Sequence, residues 1–175
     1  MNRFKIESLT QQAFAPFGDI IHCPSQGGYS TNDKTAIRFD KVANLDLTDL
    51  NGTPLLSIFR VTPISFPFAI SKLERHPHSS QTFITLLSRP FLSVVAPPGD
   101  KINPEQIKIF YVPAGRGVNY RRNTWHHQVI ALTEETLFVV IGRKGQDKNC
   151  DVIELTQPLF LEEGPVAQMD RAEVS

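Results

Sequence analysis

Short apolar runs follow one another closely from residue 54 onward. They are PLLSIFRVT, FPFAISKLE, TFITLL, PFLSVVAP, QIKIFYV, HQVIAL and TLFVVIG, and Pro, Gly, Ser and Asn separate them. Apolar or alternating runs of this length, so closely spaced, are typical of antiparallel strands in a sandwich or barrel. No long amphipathic helix interrupts them, which argues against a parallel βαβ sheet. The pattern therefore predicts a mainly all-β domain.

One short helix is predicted before these strands. In LTQQAFAPFGDII, Thr10 is a suitable N-cap, Pro16 limits the length of the helix and Gly18 is a suitable C-terminal stop. At the other end, GPVAQMDRAEVS follows the last apolar run and has no periodicity of its own. We expect a single catalytic domain over residues 1–162 and a disordered tail over residues 163–175.

Composition narrows the class of partner. The chain has 175 residues, enough to bury a core, and its 18 basic residues balance its 18 acidic ones. With no net charge, no overall field attracts nucleic acid or an anionic membrane, so we expect a small-molecule partner and neither of these. The N-terminal MNRFKIESLTQQAF lacks the apolar stretch of a signal peptide, and no run is long enough to span a membrane. We expect a cytoplasmic protein.

The two cysteines support the same expectation. Cys23 and Cys150 are far apart, and neither belongs to a CxxC pair. This spacing indicates two reduced thiols and neither a disulfide framework nor a thiolate zinc site.

Four of the five histidines form two clusters. His76 and His78 lie in ERHPHSSQTFI, and His126 and His127 lie in NTWHHQV. A single histidine is an ordinary surface or core residue, but two clusters beside predicted strands of one β domain indicate a convergent site. Residues two apart in a strand face the same side, so Glu74, His76 and His78 could all point into a barrel.

Two levels of resemblance follow from these residues. The short strands, the H-x-H and the later PAG followed by a histidine are similar to the cupin superfamily of small β-barrels. More narrowly, LERHPHSSQTFI, GVNYRRNTWHH and GQDKNCDV together resemble the ureidoglycolate lyase family of allantoin degradation, over roughly residues 3–155. The resemblance implies a cupin-like antiparallel β-barrel or sandwich, cleavage of (S)-ureidoglycolate to glyoxylate and urea, a homodimer, and nickel as the activating ion.

The cupin ligand pattern matches this chain in a shifted frame. A cupin H-x-H is followed by a glutamate, but counting from His78 the corresponding positions are Thr82 and Phe83. When the frame moves back by two residues, the four ligand positions fall on Glu74, His76, Gln81 and His126. His78 then becomes a bystander on a turn.

This ligand set has a definite chemical character. Two imidazoles with a carboxylate and an amide favour nickel, another divalent metal such as manganese, or iron over a zinc thiolate site. A metal-free pocket whose polar groups bind the substrate directly remains the alternative.

The implied reaction is the collapse of a hemiaminal. It needs a base at the hydroxyl, an acid at the leaving nitrogen and an anchor for the carboxylate, but no nucleotide or redox cofactor. We predict His76, His126 and Glu74 as the catalytic residues, with Gln81 positioning the substrate or the metal. Two other functions stay open: a non-catalytic cupin that binds a small organic acid, and a metal-dependent cupin isomerase or dioxygenase.

Further residues are candidates for substrate binding. Arg60 lies mid-strand in SIFRVT and could anchor a carboxylate, or it could be an exposed residue of the outer face. Tyr120 and Asn123 precede His126 on a predicted loop and could donate hydrogen bonds to the ligand, or serve as ordinary loop residues. His127 should point away from the site if His126 points inward.

Overall fold

The computed structural model describes residues 5–173, and β-strands dominate them. The strands are β1 Ile6–Ser8, β2 Gly18–Ile21, β3 Tyr29–Thr31, β4 Ala36–Arg38, β5 Thr53–Val61, β6 Phe68–Arg75, β7 Gln81–Thr85, β8 Phe91–Ala96, β9 Lys108–Val112, β10 Gly117–Tyr120, β11 Trp125–His126, β12 Ile130–Ala131, β13 Thr136–Lys144 and β14 Asp151–Leu161. Two α-helices, α1 Gln11–Phe14 and α2 Glu163–Glu173, lie near the ends of the chain. Short 3-10 turns occur at Asp49–Asn51 and Pro104–Gln106.

Two large sheets form the domain. One has the strand order β1-β9-β8-β11-β6-β14 with β12 also paired to β8, and the other has the order β2-β10-β7-β13-β5. All their pairings are antiparallel except that of β1 with β9. Strands β3 and β4 form a separate hairpin. The predicted all-β, cupin-like barrel or sandwich is confirmed.

The core between the two sheets is rich in phenylalanine. Phe91 of β8 meets Phe138 of β13 edge to face at 5.0 Å, and Phe110 of β9 meets Phe14 of α1 at 5.4 Å. These rings are fully buried, and burial of one such side chain contributes about 1.5–3 kcal/mol to stability. The inter-sheet core is therefore dense enough to hold the strands of the site in fixed register.

A second apolar cluster covers the outer face of the larger sheet, where α2 packs. Every residue of β8 is buried, which means that this strand is covered on both faces. Val166 of α2 is buried against the outer cluster, and Met169 packs beside it one turn later. Residues 163–173 of the tail that was predicted to be disordered form this helix, and residues 174–175 lie outside the described part. Pro165 is tolerated because it lies in the first turn of the helix.

The N-terminal helix begins as predicted and ends earlier. The Thr10 hydroxyl accepts a hydrogen bond from the Ala13 backbone N–H, so Thr10 is the N-cap. Gly18 is the first residue of β2 and not the helix stop. A Cβ at this position would lie 1.9 Å from the backbone oxygen of Asn119, so only glycine allows this close approach. Among residues 5–173, no helix is long and apolar enough to cross a membrane.

Candidate active site

Strand pairing places Glu74 and His126 opposite each other. The two-residue strand β11 lies between β8 and β6, where His126 is in register with Val95 on one side and Glu74 on the other. The His126 side chain is 1% exposed, and its Nε2 lies 3.6 Å from Oε1 of Glu74. Its Nδ1 lies 2.9 Å from the backbone oxygen of Thr124, which accepts the ring N–H. One ring nitrogen is therefore fixed by the backbone, and the other faces the carboxylate.

His76 follows the end of β6 and approaches His126 from the side. The two ring centres are 5.3 Å apart. The Nδ1–H of His76 donates to the backbone oxygen of Asn149 over 2.6 Å, while its Nε2 is buried and has no hydrogen-bond partner. Burial is the main cause that lowers the pKa of His76 below its ordinary value, with the nearby His126 acting in the same direction. The lowered pKa favours the neutral imidazole, in which Nδ1 carries the proton and Nε2 carries a free lone pair.

Gln81, the first residue of β7, completes the group. Its Oε1 lies 3.0 Å from Nε2 of His126. Because Nδ1 of His126 donates its proton to Thr124, Nε2 of the neutral ring is an acceptor, and it pairs with Gln81 when the amide turns its N–H₂ group toward the ring. With a proton or a metal ion on Nε2, the amide oxygen is the matching partner.

The Glu74 carboxylate is poised to remain ionised. The interaction with His126 is the main cause that lowers the pKa of Glu74, and it outweighs the opposing effect of partial burial. The Sγ of Cys150 lies 3.9 Å from its other oxygen, Oε2. One carboxylate oxygen therefore faces the two histidines and the other faces Cys150.

The donor atoms of this group could hold a metal ion. Ligand atoms of Glu74, His76 and His126 all lie within 4.8 Å of one another. Both histidines direct Nδ1–H to a backbone carbonyl, which is the arrangement that orients an imidazole for coordination through Nε2. The unpartnered Nε2 of His76 is the atom that such an ion would satisfy. The predicted ligand set thus suits a divalent ion in both chemistry and orientation.

A pocket of about 310 Å³ opens beside His76 and Gln81. Cavities of roughly 300–1,000 Å³ hold small ligands, and this one lies at the lower end of that range. The lining residues are Leu55, Ser57, Phe59, His76, Ser79, Ser80, Gln81, Val140, Gly142, Arg143, Asn149 and Cys150.

Tyr120 lies in the core and supports His126. It ends strand β10, where a loop was predicted, and its ring stacks on the His126 ring at 4.3 Å between centres. Its hydroxyl is hydrogen-bonded to Ser93, and burial raises the pKa of this hydroxyl above its ordinary value. Tyr120 does not line the pocket, and its hydrogen bond to the ligand stays a prediction.

The backbone of Asn123 links the segment that carries His76 to the loop that precedes His126. Its φ of 65° places it in the left-handed region, which asparagine tolerates better than most residues. Its N–H donates to the backbone oxygen of His76 over 3.0 Å. Asn123 thus ties the loop before His126 to the end of β6 through its main chain, and the ligand contact of its side chain stays a prediction.

Arg60 does not reach the pocket. Its side chain is 73% exposed and pairs loosely with Glu135 at 3.8 Å. Leu55, Ser57 and Phe59 of the same strand line the pocket, so by alternation Arg60 faces the opposite side. The carboxylate anchor predicted at Arg60 is therefore wrong, and the alternative of an exposed outer-face residue holds.

The remaining histidines of the two clusters lie apart from this group. His78 sits on the turn after β6, where its Nδ1 contacts Asp49 at 2.9 Å. The His127 ring packs edge to face against Phe68, on the side of the sheet away from His126. The structure thus brings together Glu74, His76, Gln81 and His126 without these two.

Sequence reasoning assigned no role to three residues that line the pocket. Asn149 contacts the turn that carries His76, and Cys150 contacts Glu74. Arg143 is a buried arginine whose Nε donates to the backbone oxygen of Asp49 and whose Nη1 has no partner. The stretch GQDKNCDV, which contains two of these residues, was a signal of family resemblance only.

Fold and site together define a class: a cupin-like β protein in which a carboxylate, two imidazoles and an amide converge beside a small-molecule pocket. Comparison with known proteins narrows the class. The family model described as ureidoglycolate lyase matches residues 1–162. The chain belongs to the ureidoglycolate lyase family.

Individual relatives agree over nearly the whole chain. A protein of Burkholderia mallei (strain NCTC 10229) named ureidoglycolate lyase is 41% identical over 161 residues, covering 92% of this chain and 94% of its own. A protein of Pseudomonas syringae pv. tomato with the same name is 40% identical over 167 residues, which cover 94% of this chain and 98% of the relative. A protein of Pseudomonas putida (strain W619), also named ureidoglycolate lyase, is 38% identical over 161 residues, which cover 92% of this chain and 96% of the relative.

Proposed function

We propose that this protein cleaves (S)-ureidoglycolate to glyoxylate and urea. The family match supports this activity, and it favours a lyase over an organic-acid sensor or a metal-dependent isomerase or dioxygenase. The observation that carries the proposal is the free Nε2 of His76, which faces a second imidazole and an ionised carboxylate beside a small pocket. These are the groups that hemiaminal cleavage requires.

In this proposal each imidazole has one proton-transfer role. His76 is neutral, so its Nε2 accepts the proton of the substrate C2 hydroxyl as that carbon becomes the carbonyl of glyoxylate. His126 donates a proton from Nε2 to the ureido nitrogen, which leaves as urea. Glu74 stabilises the imidazolium form of His126 through the 3.6 Å contact between their side chains. General acid and base catalysis of this kind contributes about 10²–10⁴-fold in rate.

As an alternative to these proton transfers, we propose that Glu74, His76, Gln81 and His126 hold a nickel ion, in which case Nε2 of each histidine would be a ligand and not a base or an acid. These side chains would offer it two imidazole nitrogens, a carboxylate oxygen and an amide oxygen, a donor set that suits a divalent ion. When bound, such an ion supplies Lewis-acid stabilisation of the substrate oxygen. The protein's own part is to orient both imidazoles through backbone carbonyls and to keep the Glu74 carboxylate ionised.

The pocket suits a small polar anion. The Ser79 hydroxyl accepts a bond from Asn149, so its own proton remains available to the substrate. Arg143 is the cationic residue of the lining; its Nη2 pairs with Asp147 at 3.2 Å, whereas its Nη1 has no hydrogen-bond partner, so we propose Arg143 as the anchor for the substrate carboxylate. Together these groups take over the anchoring role that Arg60 does not fill.

The activity is tested by incubating purified protein with (S)-ureidoglycolate and measuring urea, glyoxylate and ammonia. Equal amounts of urea and glyoxylate, formed faster than in a sample of His126→Ala protein, are expected. The assay is run with added nickel and after treatment with a chelator, to measure the contribution of the ion. Ammonia without urea would indicate an amidohydrolase, and no turnover in either condition would refute the lyase.

We also propose a homodimer that forms through β5. This nine-residue strand is the last in its sheet, and in the described part of the chain it pairs only with β13. Leu56 and Ile58 on its outer face are 70% and 57% exposed, and Leu55 and Phe59 on its inner face are also exposed. Exposed apolar edge strands associate readily.

A twofold axis at Ser57 would make this strand complementary to its own copy. An antiparallel pairing centred there places Leu56 opposite Ile58, and Leu55 opposite Phe59, on both faces of the joined sheet. The second copy would also cover the pocket wall formed by Leu55 and Phe59. Sedimentation should give twice the chain mass of 19.7 kDa, and a monomer at micromolar concentration would contradict the proposal.

We place this reaction in the cytoplasm, as a step of allantoin degradation. Both cysteines, Cys23 and Cys150, are free thiols, which persist in a reducing compartment. Fractionation of cells that express a tagged chain would test the location.

A further inference from the structure

Asn149 holds the turn after β6 with three of its polar atoms. Its backbone oxygen accepts the Nδ1–H of His76 at 2.6 Å. Its side-chain Oδ1 accepts the backbone N–H of His78 at 2.7 Å, and its Nδ2 donates to the Ser79 hydroxyl at 2.9 Å. One residue therefore contacts the His76 ring through its main chain and, through its side chain, the two residues that follow Pro77.

The sheet brings Asn149 to this place. Asp151 at the start of β14 is in register with Arg75 at the end of β6, and their side chains also pair at 3.1 Å. If the antiparallel register is extended by two residues beyond the Asp151–Arg75 pair, Asn149 falls opposite Pro77, in the turn that follows His76. Pro77 has no N–H, so the regular ladder stops here and the Asn149 side chain supplies the bonds instead.

The bond to His76 has a chemical consequence. A carbonyl oxygen only accepts, so a neutral His76 must carry its proton on Nδ1 and leave the lone pair on Nε2. That lone pair is buried and has no partner. Without the carbonyl at this distance, the proton could occupy Nε2 and the ring would present a donor to the site.

We propose that Asn149 is a positioning residue, which fixes the tautomer and direction of the His76 ring so that its Nε2 lone pair faces the site. The side chain acts by holding the Asn149 carbonyl in place. The inference deepens the proposed function, since it explains how the proposed base or metal ligand is prepared. Its direct readout, the tautomer, does not depend on the activity.

Asn149→Ala keeps the carbonyl but removes both side-chain bonds. In metal-free protein, at a pH where the imidazoles are neutral, ¹⁵N NMR of the histidine rings reports which nitrogen carries the proton. The wild type should show His76 protonated at Nδ1, and Asn149→Ala should show a mixture with Nε2. Asn149→Asp keeps an acceptor for His78 and a partner for Ser79, so it should retain the wild-type tautomer.

Two further measurements distinguish positioning from general stabilisation. Nickel affinity by calorimetry should fall by about 10–100-fold in Asn149→Ala, as is usual when the support of a ligating imidazole is removed. In the lyase assay, kcat should fall while KM changes little. The matched control is Asn103→Ala, because the Asn103 side chain also accepts a bond from a backbone N–H, that of Glu105, but does so as the N-cap of the 3-10 turn Pro104–Gln106. It should leave all three readouts unchanged.

Ser79→Ala keeps the test available if Asn149→Ala does not fold. It removes one of the two side-chain bonds of Asn149, so a smaller change in the same direction is expected. A His76 ring that stays protonated at Nδ1 in Asn149→Ala, with wild-type nickel affinity, would overturn the inference. If the wild type forms no urea, the proposed function fails, while the tautomer still decides the role of Asn149.

Discussion

His126 is fixed on every side of its ring. Thr124 binds Nδ1, Gln81 and Glu74 face Nε2, and Tyr120 stacks on the ring plane. His126→Ala removes the group that is the proposed acid or, in the alternative, a metal ligand, so we expect kcat/KM to fall by at least about 10²-fold. The urea assay measures this effect, and circular dichroism checks that the fold is retained.

His78 is the matched control for His126. It lies on the neighbouring turn and contacts Asp49, away from the convergent group. His78→Ala should therefore leave kcat/KM within about threefold of the wild type, as is usual for changes that remove no catalytic group. A larger loss for His78→Ala than for His126→Ala would show that the shifted cupin frame is wrong.

The role of Tyr120 can be tested by separating its ring from its hydroxyl. Tyr120→Phe keeps the stack on His126 and loses the bond to Ser93, so stability should fall by about 1 kcal/mol while KM is unchanged. Tyr120→Leu loses the stack and should lower kcat further. A raised KM in Tyr120→Phe would support the role of hydrogen-bond donor to the substrate.

Two half-buried histidines, His76 and His127, make stability depend on pH. Burial lowers the pKa of both His76 and His127 below 6.5, so the unfolded chain binds these protons more readily than the folded protein. Their contribution to stability is complete above about pH 6.5 and is lost as pH falls through the lower folded values. The free energy of unfolding of metal-free protein, from urea titrations, should thus decrease between about pH 7.5 and 5.5.

His127→Gln isolates one of these two groups. It removes a titrating ring on the face opposite to the site, so the free energy of unfolding should decrease less over the same pH range than in the wild type. A pH dependence equal to that of the wild type would contradict the assignment.

At the scale of elements, α2 seals the outer face of the larger sheet. Val166 is 6% exposed and faces the apolar cluster, whereas Gln168 on the same helix is exposed. Val166→Asp should lower the free energy of unfolding by at least about 2 kcal/mol, because it places a carboxylate against buried apolar surface. Gln168→Asp, which adds the same charge on the exposed side, should change it by less than about 0.5 kcal/mol. Equal effects in urea titrations would mean that α2 does not stabilise the sheet.

Strands with an apolar pattern could be predicted from the sequence, and the others could not. Each of the seven apolar runs contains a strand, because burial between or beside sheets demands apolar side chains. Strands β10, β11 and β14 gave no comparable signal: β11 has two residues, and the pairing of β14 with β6 shifts register between Glu154 and Leu159. These strands exist because their partners provide the hydrogen bonds, which no local pattern records.

The same division holds for the site. Glu74, His76, Gln81 and His126 could be selected because their side chains carry chemistry and lie at strand ends. Asn149 could not, because its contribution to His76 comes from a backbone oxygen that any residue possesses. Arg60 was misplaced because alternation shows which residues share a face of β5, but not which face lines the pocket.

At the scale of the whole molecule, the balance of charge permits self-association. The net charge is zero, and TPLLSIF, residues 53–59 of β5, has no charged residue, so two copies meet without repulsion. Leu56→Lys places a charge at the proposed interface and should convert the dimer to a monomer in sedimentation experiments. Leu86→Lys, at an exposed leucine outside β5, should leave it dimeric. A dimer in both variants would place the interface elsewhere.

The cross-strand pairing of Glu74 with His126 links activity to the integrity of the larger sheet. These residues are distant in sequence, and they meet only when β11 is inserted between β6 and β8. A molecule in which β11 has detached, with the rest of the sheet intact, would retain most of its secondary structure but no site. Turnover is thus a reporter of local unfolding, and it should be lost at lower denaturant concentration than the circular dichroism signal.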